Sequence, residues 1–219
     1  MQKQTQDFIL LIFNCQKYRY KAQKQKATWL LDLPIPIQYY HVIGDITLQE
    51  PYIINRDEHL LTIKVNDDYL SLPKKVISAY EIINKIYKFK YIFKTDDDQF
   101  LNSPIFFSNL MMNLLYLYDK QRIHYGGKLV NVNNDYLSEY YKEHPELPIN
   151  LIVKACSYCN GRFYLLSSDI VGRLVTSKKA AISEEYFEDY AIGYNIPKII
   201  YTNNFMPIDT DAYFKDFTF

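Results

Sequence analysis

Apolar positions along the chain switch between short unbroken runs and longer periodic stretches. Phe8 to Phe13 is six consecutive apolar residues, the pattern of a strand covered on both faces. Residues about 17–31 are basic and rich in good helix formers, which predicts a helix stopped by Pro34 and Pro36. Gln38 to Ile43 reads as a second strand closed by Gly44-Asp45, and Glu58 to Val65 as a third apolar stretch. From Leu72 to Tyr87 the apolar residues Val76, Ile77, Ala79, Tyr80, Ile83 and Ile86 recur at helical spacing. Tyr91 to Phe93 is a fourth strand that runs into Lys94, Thr95 and then three aspartates. Strands alternating with helices predict an α/β fold, an open and mostly parallel central sheet flanked by helices. No internal repeat, low-complexity tract or linker interrupts the chain, so one domain is expected over 1–219.

Composition narrows this further. The chain holds 22 Tyr, 13 Phe and one Trp within a 48% hydrophobic total, which demands burial and excludes disorder as the main state. Lys plus Arg is 25 and Asp plus Glu is 25. With no basic excess, no nucleic-acid partner is expected. The Phe8–Phe13 run is far too short for a membrane span or a signal segment, so the expectation is a soluble protein, located in the cytoplasm, without a membrane span. Cys15, Cys156 and Cys159 cannot build a disulfide framework. Cys156 and Cys159 make a CxxC that lacks a second pair of zinc ligands, and they read as packed thiols.

Asp96, Asp97 and Asp98 are the strongest local signal. Adjacent carboxylates at the end of a buried strand repel one another, and a cation relieves that repulsion. In open α/β sheets ligands bind outside the carboxyl ends of the strands, where these residues fall. Hard oxygen ligands suit Mg²⁺ or Mn²⁺, usually completed by substrate phosphates. A solvated acidic loop is the bland alternative. A haloacid-dehalogenase-type phosphatase is another, with Asp96 as nucleophile, Asp98 as acid/base, and Lys178 or Lys179 with Glu188 and Asp189 recruited downstream.

Five segments, in order, resemble the β-1,3-galactosyltransferase and Fringe-like glycosyltransferases. "KYRYKAQKQKATW" is similar to the family's basic helix ending in Arg-x-Thr-Trp, with Lys26, Thr28 and Trp29 at those positions. "NDDYLSLPKK" matches at Asp67, Tyr69, Leu72 and Lys75, and "YIFKTDDDQFLN" is close to the metal motif. "YCNGRFYLLSSDIVGRL" and "FEDYAIGYNI" resemble the last two blocks.

The resemblance implies a GT-A, Rossmann-like fold, Mn²⁺ (or Mg²⁺), a UDP-sugar donor and transfer with inversion to a glycan or glycosylated acceptor. The expected product is a β-1,3 link from a hexose or N-acetylhexosamine. About 1–100 would form the nucleotide-binding half and about 101–219 the acceptor side. Asp98, with Asp96, would hold the metal. Asp96 and Asp97 would hold ribose or donor sugar, or position a metal-bound water. Asp67 and Lys75 would contact the nucleotide, and Gly161 would give backbone space beside the substrates. Asp189 matches the base, with Glu188 as its neighbour. Trp29 reads as core rather than as a uracil-stacking residue, and Lys21 and Lys26 as a solvated helix face or phosphate contacts. The composition matches an AT-rich genome, a protist's or a large DNA virus's, which would place a viral protein in host cytoplasm.

The sequence also departs from the pattern. No His follows His144, so water, a diphosphate oxygen, Asp209 or Asp211 would take the place of the family's metal-binding His. Phe163 stands where the family has glycine, which predicts an altered sugar pocket. These departures keep open a catalytically weak nucleotide- or glycan-binding protein of the same fold.

Overall fold

In the computed structural model, which describes residues 2–198 and 204–217, Phe8–Phe13 is a strand, β1, buried along its whole length. Its side chains alternate between two apolar layers, as a period of two requires. Ile9, Leu11 and Phe13 enter one layer, and Phe8, Leu10 and Ile12 the other. The chain continues with β2 (Ile37–Gly44), β3 (Tyr52–Asn55), β4 (Leu60–Ile63), β5 (Tyr91–Asp96), β6 (Gln99–Leu101), β7 (Tyr125–Val132), β8 (Cys156–Ser167), β9 (Phe205–Pro207) and β10 (Phe214–Asp216). Eight of these form one sheet in the order β9-β7-β8-β5-β1-β2-β4-β3, while β6 pairs with β10 alongside. Four of the seven pairings in the large sheet are parallel and three antiparallel, so the expected mostly parallel sheet is what forms.

Among the described residues seven helices accompany the strands: α1 (Arg19–Lys26), α2 (Leu72–Ile86), α3 (Phe106–Leu117), α4 (Ser168–Ser177), α5 (Lys179–Ser183), α6 (Glu188–Asn195) and the short α7 (Thr210–Tyr213). Val76 and Tyr80 of α2, Leu174 of α4, Ile182 of α5 and Ile192 of α6 cover one face of the sheet. Phe107 and Leu114 of α3, with Trp29 and Phe214, cover the other. Among the described residues no helix is long and apolar enough to cross a membrane.

Two local expectations are corrected. The basic helix over 17–31 is broken: α1 ends at Lys26, and a separate 3₁₀ turn runs from Trp29 to Asp32. The break is at Thr28, whose φ of −126° and ψ of −114° leave the helical region while its hydroxyl donates to the Lys24 carbonyl. This turn carries Trp29 inward, where its indole stacks near Phe107 and its N–H donates to the Gln99 carbonyl. Burial of the indole outweighs helix continuity. The stretch read as one strand over 58–65 is shorter, and it forms an antiparallel edge hairpin with β3. Side chains of β3 alternate between half-buried and exposed, too polar an edge to stand out as an apolar run.

Two helical glycines face opposite surroundings. A methyl at Gly193 in α6 would sit 2.2 Å from Cβ of Tyr158, whereas one at Gly172 in α4 meets nothing within 4 Å. Gly193→Ala should therefore lose about 1–3 kcal/mol through overpacking, and Gly172→Ala should gain about 0.5–1 kcal/mol in a helix interior. Urea unfolding of both variants beside the parent checks the pair.

Candidate active site

The parallel core ends in register at one edge: Phe13 of β1 lies beside Val42 of β2 and Asp96 of β5. Directly beyond these carboxyl ends opens a cleft of ≈ 600 Å³, the position at which open α/β sheets bind ligands. Its floor and walls include Asp67, Lys75, the Asp96–Asp98 turn, Gly161 and Asp189. Asp67 and Lys75, Asp96 to Asp98, Gly161, and Glu188 with Asp189 are thus brought to one cleft by four separate chain segments.

The three aspartates are not equivalent. Asp96 is the last residue of β5, and Asp97 and Asp98 make the turn into β6. Asp96 pairs with Lys94 at 2.8 Å and Asp97 with Lys21 at 3.0 Å. Asp98 accepts from the Gln99 amide at 2.9 Å and makes no ion pair among the described residues. Burial pushes Asp96 and Asp97 up to about 6, against the pull of their lysines.

Lys94 organises the rest. Its side chain is 1% exposed, and its ammonium reaches Asp96, Glu188 and the Gly161 carbonyl, each at 2.8 Å. Burial by itself would lower this lysine, but the carboxylates of Asp96 and Glu188 hold it above its ordinary value. Glu188 also accepts from the Tyr164 hydroxyl, which bonds Tyr80 at 2.6 Å. The Glu188 carboxylate is therefore turned into the protein and raised by burial. Asp189, one residue on, turns outward and lines the cleft. Its Oδ2 accepts from the Gly161 N–H at 2.8 Å and its Oδ1 from the Tyr190 N–H at 2.7 Å, and burial raises it too.

Gly161 stands where β8 shifts register against β7, between Cys159 and Tyr164. A methyl there would lie 3.2 Å from Nζ of Lys94 and 3.3 Å from Oδ2 of Asp96. Glycine lets the strand press its backbone between Lys94 and Asp189. Asp67 and Lys75 pair at 2.7 Å, and Asp67 also accepts from the backbone N–H groups of Gly44 and Gln16. Lys75 further donates to the Asn14 carbonyl. Asn14 is itself buried; its Oδ1 accepts from the Cys15 N–H, and its Nδ2 is left without a partner among the described residues. A buried donor of this kind, in a cleft wall, calls for a ligand acceptor or an ordered water.

Several expectations end elsewhere. Trp29 is core, and Lys26 donates to the Glu58 carbonyl, outside the cleft. Phe163 does not reshape the pocket, because it points to the opposite side of the sheet and packs on Phe93, Phe106 and Phe214. Its predecessor Arg162 faces the cleft and pairs with Asp211 and Asp216. Asp211 also pairs with Lys128, and neither it nor Asp209, the two carboxylates expected in place of the metal-binding His, lines the cleft. Lys179 pairs with Glu81 on α2, and neither it nor Lys178 reaches the Asp96 turn, as a phosphatase would need. Gly126 and Gly127 lie within β7, and the three cysteines form no disulfide among the described residues.

A second groove of ≈ 540 Å³ adjoins the first. Tyr69, Tyr140, Phe187 and Asp189 line both. His144 is sandwiched between Tyr69 at 4.2 Å and Tyr140 at 4.8 Å, and the stack forms the partition between the two spaces. Lys94, Tyr140 and His144 are site residues that sequence reasoning passes over. For Lys94 a signal existed: a lysine inside an apolar strand must find buried partners.

The sequence matches the Galactosyltransferase family over residues 24–202. The chain belongs to this family. No curated protein matches it in sequence. Among solved structures it is similar to the glycosyltransferase GlyE of Streptococcus pneumoniae TIGR4, at 11% identity and a TM-score of 0.49. That match covers 95% of this chain and 46% of the other, so the chain spans less than half of that protein. As a galactosyltransferase-family chain its α/β architecture is consistent with the GT-A type, and membership supports glycosyl transfer as the chemistry of the site.

Removing the central cation should be costly. Lys94→Met leaves Asp96 and Glu188 buried without it, and a loss of about 3–5 kcal/mol is expected in urea unfolding. Asp97 gives a pH test. Held near 6 in the folded protein against an ordinary 3.8, it takes up a proton on folding as pH falls from about 7 to about 4, so its burden on stability is full above 6 and fades towards 4. The stability of Asp97→Asn relative to the parent should therefore fall as pH is lowered across that window, without added metal.

Proposed function

We propose that the protein is an inverting, metal-dependent glycosyltransferase that moves a hexose or N-acetylhexosamine from a UDP-sugar to a sugar hydroxyl, forming a β-1,3 link. What carries this reading is the place of Asp189, on the wall shared by the acidic cleft and the aromatic groove. A base for single-displacement transfer must touch both the donor and the acceptor space.

The residues present fit a divalent ion of the Mn²⁺ or Mg²⁺ kind. Among the described residues no group of three or more His, Cys, Asp or Glu forms a self-contained metal site. Such ions, however, are commonly held by one or two carboxylates and completed by substrate phosphates. Asp98, which has no cation of its own, would hold the ion together with Asp96. When bound, the ion supplies charge neutralisation for the departing diphosphate.

The chain's own groups do the rest. Asn14, at the end of β1, and the Asp67–Lys75 pair shape the wall against which the nucleotide lies. Asp97, anchored by Lys21, borders the ribose or donor sugar. In the displacement the acceptor oxygen bonds to the anomeric carbon from the side opposite the diphosphate, the bond to the diphosphate oxygen breaks, and the hydroxyl proton passes to the Asp189 carboxylate. Burial raises this carboxylate's proton affinity, as a general base requires. Glu188 serves as a positioning residue, tying α6 to Lys94.

Two variants test the assignment. Asp189→Asn should keep UDP-sugar affinity within a few-fold and lower single-turnover transfer by about 10²–10⁴. Near-normal transfer would remove Asp189 as base. Asp98→Ala should abolish the Mn²⁺-dependent part of UDP affinity, measured by calorimetry with and without the ion, while the melting temperature stays close to the parent's. Unchanged Mn²⁺ dependence would overturn the metal assignment.

A further inference from the structure

The groove beyond Asp189 has a composition unlike that of the acidic cleft. Rings of Tyr136, Tyr140, Tyr158 and Phe187 line it. Among the described residues its charged side chains are Glu139, Glu143 and Asp189 against Lys142 alone. Lys142 already pairs with Glu139 at 2.5 Å, so no cation of the lining is left to meet an incoming anion. Asp189 is bonded to two backbone N–H groups, and Glu143 is exposed.

This lining has a defined preference. Aromatic faces take the C–H faces of sugar rings, which are flat and partly apolar. Ionised carboxylates only accept hydrogen bonds, so they need donors such as hydroxyls. A carboxylate or sulfate on the ligand would bring like charge against Glu143 and Asp189, a juxtaposition that rejects wrong partners. The Tyr69–His144–Tyr140 stack separates the groove from the nucleotide cleft, so a sugar held in it presents its hydroxyl past Phe187 to Asp189.

We infer that this groove is a glycan-binding site that selects a neutral acceptor over one bearing an anionic group near its reacting end, an inference that rests on the glycosyl-transfer reading of the adjoining cleft. The selection is electrostatic and is set by the segment from Tyr136 to Glu143.

The test measures binding directly. A neutral tetrasaccharide ending in galactose and the same glycan ending in glucuronic acid are titrated onto the whole chain by NMR at neutral pH. The neutral probe should bind at least about tenfold more tightly. Tyr136 is 48% exposed, and Glu143 is also exposed, so substitutions at either preserve the core. Tyr136→Ala should weaken the neutral probe several-fold, and Glu143→Lys should close most of the gap between the two probes. Equal or tighter binding of the acidic probe, no binding of either, or variants that leave both affinities unchanged would each overturn the inference. UDP-sugar turnover by the parent protein, run alongside, keeps the two readings apart. Turnover without selective binding refutes the groove alone, and selective binding without turnover refutes the transfer alone.

Discussion

Lys94 carries an ammonium into the middle of the sheet, where an unpaired charge would cost several kcal/mol. Three acceptors at 2.8 Å compensate it: Asp96 from its own strand, Glu188 from α6 and the Gly161 carbonyl from β8. Each of these groups stands beside a position with a proposed role. Asp96 opens the acidic turn, Glu188 precedes Asp189, and Gly161 donates its N–H to Asp189. One buried cation therefore holds the Asp96–Asp98 turn and Asp189 in a common frame. Rigid support of this kind is what a constellation of reacting groups requires.

The network also explains why two neighbouring carboxylates in α6 differ. Glu188 and Asp189 both sit in the first turn, where the helix N-terminus favours negative charge. Successive helical residues point in different directions, so one carboxylate faces Lys94 and Tyr164 while the other faces the cleft. The close approach of α6 to β8 enforces this, since Gly193 lies against the Tyr158 backbone with no room for a methyl. The inward carboxylate fixes the helix and leaves the outward one to line the cleft.

Much of the cleft was legible in the chain. Asp96–Asp98 announced themselves as like charges after a buried strand, and Asp67, Lys75, Gly161 and Asp189 through their place in spaced motifs. Lys94 carried a signal in its apolar surroundings, but its partners were 67 and 94 residues away, beyond what local pattern can pair. Phe163 was misread as a pocket residue because alternation within β8 is interrupted by the shift at Gly161, which decides the face on which each following side chain falls. Tyr140 and His144 carried no signal, since their role arises only from the stacking of His144 on Tyr69 and of Tyr140 on His144.

By itself the sequence determined the types of the main elements and the α/β class of the fold. An unbroken apolar run of six residues is too short for a buried helix and fits a strand covered on both faces, and the spacing of α2 fits a helix with one buried side. Those constraints act within a few residues, so they are readable locally. Tertiary structure alone decided which carboxylate faces in and which out, where α1 breaks so that Trp29 can be buried, and that a second, aromatic groove adjoins Asp189. These outcomes depend on contacts between segments distant in the chain, and on the competition between burying an indole or an ammonium and keeping a local element regular.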